Sequence, residues 1–395
     1  MHKDYKDWHE EMKKSITINK IISEKSQLMK LLGLSLEDIK KINHAFPIRI
    51  SKHYSMLIDW NNPDDPLMKM VMPNRGELEG VGSLDVSLER KFCPIRGLEH
   101  KFPQSVFVKV TDICASYCRY CFRRRHVGKP NTESIQNIET VIRYIHSHPE
   151  INSVLLTGGD PLVLETDRLD EILSALRKLP NVRTIRIGTR IPVYLPSRIL
   201  SDPEIIDVLE KHSLPEKKIY IIGCINHPIE LSAETIKAYN SLIKRGLKIF
   251  NYTVLLRGLN DDPKTLGHLF GKLCEIGVTP YCFFQCKPVR GTSYFQVPIE
   301  EGSMIFESAK RKLNEISKTA RYIMATTTGE IEIISCTKRD HKNSLILKYV
   351  SSIRPENIGK TFEVIYEGKA YWIDDILKSK HSFHGDPEIY EFLTS

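Results

Sequence analysis

No stretch of the sequence approaches the roughly 18 uninterrupted apolar residues of a membrane span, and the opening MHKDYKDWHEEMKKS lacks the apolar core of a secretory signal. The expectation is a cytoplasmic protein with no membrane partner. A paired cysteine framework is missing too: nine cysteines, an odd number scattered over 395 residues, do not read as the scaffold of a small secreted domain. Neither an internal repeat nor a low-complexity tract is visible, which excludes solenoids and tail-like segments. Charge of one sign is also scarce. Lys+Arg 57 against Asp+Glu 49 gives a net +8, which favours acidic partners weakly and is no nucleic-acid footprint.

What is present is ordinary globular material, 41% hydrophobic and 27% charged, enough to bury a large core. Residues 21 to 44 read as helix, with Leu28, Leu31, Leu32, Leu36 and Ile39 at helical spacing, and Asn61 to Pro66 breaks any regular element. Residues 67 to 104 read as an extended connector. From Val106 short apolar runs alternate with amphipathic helices: Val106 to Val110, Ser153 to Leu156, Thr184 to Ile187, Ile219 to Ile222, Lys248 to Leu255 and Tyr281 to Phe284 are the runs. Helical stretches fall near 134 to 147, 167 to 178, 203 to 212, 233 to 245, 263 to 276 and 300 to 318. Parallel strands joined by helical crossovers explain this alternation, since parallel neighbours cannot be joined by a tight turn. About six such units predict an α/β fold, a partial (β/α)6 barrel, with chemistry at the carboxyl ends of its strands. After Arg321 the chain turns β-rich, with Arg321 to Ala325, Glu330 to Ile334 and a hairpin over Glu363 to Trp372 turning at Glu367-Gly368. The expected division is a helical segment and connector over 1–104, the barrel over 105–320 and a β-rich extension over 321–395.

Directly after the first barrel strand come Cys114, Cys118 and Cys121, spaced C-x3-C-x2-C. Three thiolates in one loop can hold three corners of a four-iron cluster and leave the fourth iron open. Core packing is the bland alternative, and interleaved Arg119 and Arg123 to Arg125 argue against it. Zinc with a distant fourth ligand is the better rival. Thr157-Gly158-Gly159-Asp160 ends the second strand, where two glycines allow close backbone approach and Asp160 can face a cation; taken alone, such a tripeptide is usually an ordinary turn. Thr189 and Arg190 end the third strand, and Asn226-His227 follow the fourth.

The cysteine spacing after a first barrel strand resembles the radical S-adenosylmethionine superfamily. Longer stretches, CASYCRYCFRRRHVG (114–128), LLTGGDPL (155–162), RIGTRIPVYLPSRI (186–199), Asn226-His227-Pro228, VLLRGLND (254–261) and Tyr281 to Cys286, are similar to the lysine 2,3-aminomutase family. That resemblance runs in order from about Trp8 to Ser335. It implies a [4Fe-4S] cluster on Cys114, Cys118 and Cys121, with S-adenosylmethionine on the open iron. It further implies that Thr157 to Asp160 meet the methionyl ammonium, Arg190 its carboxylate and His227 the adenosine. Arg123 matches the arginine with which the family holds a substrate carboxylate, a task suited to a planar guanidinium fork. Arg124 and Arg125 are equally readable as solvated charge. A 5′-deoxyadenosyl radical would then take hydrogen from a small carboxylate-bearing, amino-acid-like substrate. A low-potential donor such as flavodoxin or ferredoxin would supply the electron, and a homo-oligomer is compatible with the family.

Two departures bear on the reaction. The family's pyridoxal phosphate lysine follows a glycine-rich tract in the C-terminal strands, where this chain has Glu330 within Ala325 to Glu332; the family's Tyr-Pro-Asp-Arg is here Phe102-Pro103-Gln104-Ser105. Both halves of a pyridoxal phosphate site are changed together, so that cofactor is expected to be absent. Lys287 follows Gln285-Cys286, where lysine-directed relatives carry aspartate and glutamate-directed ones carry lysine. A cation there favours an anionic substrate tail, unless Lys287 turns to solvent. The rival readings are a pyridoxal-dependent glutamate-type 2,3-aminomutase and, from another class, an iron–sulfur electron-transfer or sensing protein. An RNA-modifying radical enzyme would need a basic, aromatic module, and the C-terminal hairpin is too slight to supply one.

Overall fold

The computed structural model describes residues 8–20, 32–80, 82–130, 132–339, 341–377 and 383–394. Its centre is one twelve-stranded sheet whose spatial order follows the chain. The first strand is β1 (Leu98–Phe102), then come β2 (Ser105–Thr111), β3 (Ser153–Gly158), β4 (Thr184–Thr189), β5 (Ile219–Cys224), β6 (Lys248–Val254), β7 (Thr279–Phe284) and β8 (Arg321–Ala325). The last four are β9 (Gly329–Arg339), β10 (Lys342–Ser352), β11 (Thr361–Tyr366) and β12 (Phe383–His384). Strands β2 to β8 are parallel neighbours, while β1 and β9 to β12 pair antiparallel.

Helices carry the crossovers: α1 (Ile138–His146), α2 (Thr166–Arg177), α3 (Pro203–Lys211), α4 (Ala233–Lys244), α5 (Pro263–Glu275) and α6 (Ile299–Lys310). Their starts are written locally. Asp262 caps α5 by accepting from the amides of Lys264 and Thr265, with Pro263 at the first helical position, and Ser232 caps α4. Each helix buries one stripe, such as Ile138, Val141 and Ile145 of α1.

Strand alternation separates two environments. In β4 Ile185 and Ile187 are buried while Arg186 and Gly188 are half-exposed; in β6 Ile249, Asn251 and Thr253 are buried while Phe250, Tyr252 and Val254 are not. One face is sealed by helices, and the other faces the barrel interior. Rings from adjacent strands meet there, as Tyr220 with Phe250 at 5.8 Å and Tyr252 with Phe284 at 5.8 Å. Strands β1 and β12 do not pair, so the barrel is partial. Across the gap, Lys101 of β1 donates to the Thr326 carbonyl just after β8 at 2.7 Å.

Several expectations need correction. A seventh parallel strand, β8, extends the six units, and the sheet passes without a break through position 320. Residues 67 to 104 are more than a connector: Pro66–Val71 is helical, Arg75–Leu78 is a 3-10 turn and β1 joins the sheet. The helix expected over 21–44 is observed at Leu36–Ala45, and 21–31 lie outside the described residues. No hairpin spans 363–372, because β11 pairs with β10 and β12 and is followed by the short helix Ile373–Ile376. The long hairpin is instead β9–β10, in which Gly329 lies opposite Ser352. Its reach escaped the sequence reading because polar residues occupy much of Ser335 to Ser344.

Candidate active site at the carboxyl ends of the strands

The loop after β2 carries the cysteines, and buried polar contacts fix its path. Asp112 accepts from the Thr132 amide at 3.0 Å and the Ser134 hydroxyl at 3.0 Å, and it contacts His126 Nδ1 at 2.8 Å. Arg119, fully buried, donates to Glu77 at 2.9 and 2.5 Å and to the Pro47 carbonyl at 2.8 Å. Arg124 reaches the same Glu77 at 2.5 Å. One carboxylate is therefore shared by two buried guanidiniums.

Cys114, Cys118 and Cys121 are all free thiols. Burial pushes the Cys114 thiol up and that of Cys121 to about 12, with the neighbouring cysteines adding to the rise. Thiols in such a place stay protonated unless a metal takes the proton's position. Three of them in one loop fit an iron–sulfur cluster with three protein ligands.

The glycines of Gly158-Gly159 have a steric reason. A Cβ on Gly158, whose φ is +113°, would stand 2.3 Å from the Thr111 carbonyl oxygen, and one on Gly159 would stand 2.2 Å from that of Ile113. The Gly159 and Asp160 amides donate to those same two carbonyls at 2.6 and 2.8 Å. These residues clamp the end of β3 onto the cysteine loop. A Gly159→Ala chain is expected to lose about 1–3 kcal/mol of stability and to take up less iron on reconstitution. Gly188→Ala, with its nearest atom at 3.7 Å, should change neither, and thermal melts with iron analysis make the comparison.

Asp160 is tied to its own surroundings by three hydrogen bonds. Its Oδ1 accepts from the Thr189 hydroxyl at 2.7 Å and the Leu162 amide at 3.1 Å, and its Oδ2 from the Arg190 amide at 2.6 Å. Burial nonetheless raises its carboxyl to about 6. Arg190 is ion-paired with Glu230 and donates to Tyr120 at 2.6 Å and to the Cys118 sulfur at 3.0 Å. Its Nε is buried without a hydrogen-bond partner among the described residues. Asn226 donates to the same Tyr120 oxygen at 2.6 Å and anchors the Val254 amide at 2.8 Å. His227 caps the turn Pro228–Glu230, and burial lowers its pKa. The cysteine loop and the ends of β3, β4 and β5 are thus tied into one network. Thr157 enters it by accepting from Arg123 at 2.5 Å.

Arg123 and Lys287 both face the interior. Arg123 donates to Glu89 at 2.7 Å, and Lys287 donates to Ser87 at 2.6 Å while lying 4.3 Å from the Phe122 ring centroid. Lys287 does not turn to solvent, and burial lowers its pKa. Arg124 and Arg125 are no solvated pair either. Arg125, with its side chain 8% exposed, meets Asp85, Glu89 and Glu133. Despite burial, Arg123 and Lys109 hold the Glu89 carboxyl well below the usual carboxylate range. Glu89, His126 and Glu133 present ligand atoms within 4.8 Å of one another; Lys109, Arg123 and Arg125 already supply the positive charge there.

Where the family's pyridoxal phosphate lysine is expected, Glu330 stands among Arg186, Lys287, Arg321 and Lys101, and burial raises its carboxyl. Ser105 accepts from Arg186 at 2.5 Å. Positions 330 and 105 thus carry a carboxylate and a hydroxyl. Beside them a cavity of about 550 Å³ lies at the carboxyl ends of β7 and β8, lined in part by Val86, Pro288, Thr327 and Trp372. The sequence reading missed Glu77, Glu89, Glu99 and Glu230. A run of arginines in an apolar loop is the signal that could have found the first two, since buried guanidiniums need carboxylates.

Residues 108–269 match the family model described as the Radical SAM superfamily. The chain is 40% identical to a protein of Aquifex aeolicus named "Putative L-lysine 2,3-aminomutase", over 86% of this chain and 90% of that one. It is 33% identical to the L-lysine 2,3-aminomutase of Clostridium subterminale (78% and 72% covered). To the glutamate 2,3-aminomutase of Clostridioides difficile it is 34% identical (83% and 74% covered). Membership of the superfamily implies a [4Fe-4S] cluster and S-adenosylmethionine. No helix among the described residues is long and apolar enough to cross a membrane. A cysteine loop locked onto a glycine clamp, and likeness along most of the chain, lead to one conclusion: this enzyme belongs to the lysine 2,3-aminomutase family of the radical S-adenosylmethionine superfamily.

Proposed function

We propose that the enzyme acts without pyridoxal phosphate on a small, carboxylate-bearing amino acid with an anionic tail. Cys114, Cys118 and Cys121 would hold the cluster, and Thr157 to Asp160, Thr189, Arg190, Asn226 and His227 would surround S-adenosylmethionine. When bound, these two groups supply the 5′-deoxyadenosyl radical that removes hydrogen from the substrate. Arg123 would orient the substrate carboxylate, and Lys287 its distal anion. Tyr120, which takes hydrogen bonds from both Arg190 and Asn226, would keep those two side chains in register. The product-forming step is a pyridoxal-independent rearrangement, elimination or epimerisation.

The observation that carries this reading is Glu330, a half-buried carboxylate at the family's lysine position with four cations acting on it. A carboxylate cannot form the imine that a lysine amine makes with the cofactor aldehyde, and Phe102 and Ser105 offer the phosphate no phenol or guanidinium. Each charge-assisted hydrogen bond lost costs about 1.5–3 kcal/mol. Anaerobic, reduced enzyme should therefore release 5′-deoxyadenosine from S-adenosylmethionine, carry no stoichiometric pyridoxal phosphate by mass spectrometry and yield no lysine adduct with borohydride. A second reading, a pyridoxal-dependent glutamate-type aminomutase, draws on Lys101, whose amine burial and Lys287 bring down to about 8. Borohydride labelling of one lysine, mapped to Lys101 and tracking activity, would replace the first reading with the second.

A further inference from the structure

We propose that Glu99 is the ammonium-binding residue of the substrate site. With Arg123 it holds a free α-amino acid as its zwitterion, the carboxylate on the guanidinium and the ammonium on Glu99. The inference deepens the amino-acid reading above and rests on it.

Glu99 lies on β1 and is 3% exposed. Its Oε2 is buried and makes no hydrogen bond among the described residues, a state native proteins seldom leave uncompensated. It stands 4.0 Å from one terminal nitrogen of Arg123. The rest of that guanidinium is committed, Nε to Glu89 and the other terminal nitrogen to Thr157. One unpartnered acceptor and one unengaged donor thus face each other across a gap too long for a good hydrogen bond. The carboxylate and ammonium of an α-amino acid hang on a single carbon and can serve both.

The surrounding charges favour the same occupant. Lys109, Arg123 and Arg125 meet Asp85, Glu89 and Glu133 in ion pairs. Glu99 stands outside these close pairs, 4.0 Å from Arg123, and faces Glu89, Lys101, Lys109 and Lys287. Burial, and then Glu89, raise its carboxyl to about 7. A substrate ammonium would stabilise the ionised form and displace that proton. Without an aldehyde cofactor no imine would hold the α-amino group, and Glu99 is placed to bind it as the ammonium.

Titration calorimetry of the reconstituted holoenzyme, with L-glutamate and its des-amino analogue glutarate as probes, tests this. Wild-type enzyme should prefer L-glutamate by about tenfold or more. Near pH 7 it should release protons on binding it, read from the heats in two buffers of different ionisation enthalpy. Affinity for L-glutamate should rise as pH increases through about 7. Glu99→Gln should erase the preference and the proton release while leaving glutarate affinity within about twofold. Glu99→Asp should restore part of the preference, and it decides the matter if the amide variant does not fold. The proposal is overturned if wild type shows no preference, if Glu99→Gln keeps preference and proton release, or if that variant also loses glutarate. Failure of both probes to bind wild type would instead refute the anionic-tail reading, and the proposal with it.

Discussion

A Cys118→Ala chain, reconstituted anaerobically with iron and sulfide, will hold little intact [4Fe-4S] cluster and will not cleave S-adenosylmethionine reductively. Only three cysteines lie in the loop after β2, and a cluster with one iron already lacking a protein ligand has no thiolate to spare. The fold should survive. Cys118 contacts the Tyr194 hydroxyl at 2.9 Å and Arg190 at 3.0 Å, but Arg190 keeps Glu230 and Tyr120 as partners. Iron and sulfide analysis, the electron paramagnetic resonance signal of the reduced protein and the yield of 5′-deoxyadenosine give the readouts. Full cleavage by this variant would remove the basis of the cluster assignment.

The second large effect is structural. Glu77→Ala should destabilise the protein by about 3–5 kcal/mol, the cost of breaking a buried ion pair from one side. Glu77 has a side chain 1% exposed and takes hydrogen bonds from both Arg119 and Arg124, whose side chains are 0% and 5% exposed. Removing it leaves two guanidiniums without their counter-ion in the loop that carries the cysteines. Glu77→Gln should cost less because it retains an acceptor. Denaturant unfolding of apo-protein measures the loss, and iron uptake should fall in parallel. Equal stability of the alanine variant and wild type would show that the pair contributes nothing.

The cysteine loop, the glycine clamp and the six parallel strands were legible because each is a local pattern: a spacing, a close approach, an alternation. Residues 153 to 156 and 184 to 187 were placed within two residues of the ends of β3 and β4. The carboxylates were not legible. Glu77 lies 42 residues before Arg119, and Glu230 lies 40 after Arg190; neither position shows a periodicity that betrays its partner. Residues 67 to 104 look like a connector because their task is to deliver Glu77, Glu89 and Glu99 to arginines elsewhere, which leaves little room for an apolar stripe. Strand β10 was overlooked for a related reason, since its pairing with β9 sets the register across a turn rather than within either segment.

The two faces of the barrel strands answer to different demands. Ile185, Ile187, Ile249 and Thr253 carry the packing against the helices, while Arg186, Phe250, Tyr252 and Glu330 lie on the other, partly buried parity. A change on the inner set removes few core contacts, so a descendant chain can exchange those side chains one at a time and remain folded. Chemistry can then diverge along one parity of each strand while the other parity holds the architecture still. Glu330, on the inner parity among Arg186, Lys287, Arg321 and Lys101, bears on the charge of the interior rather than on the packing against the helices.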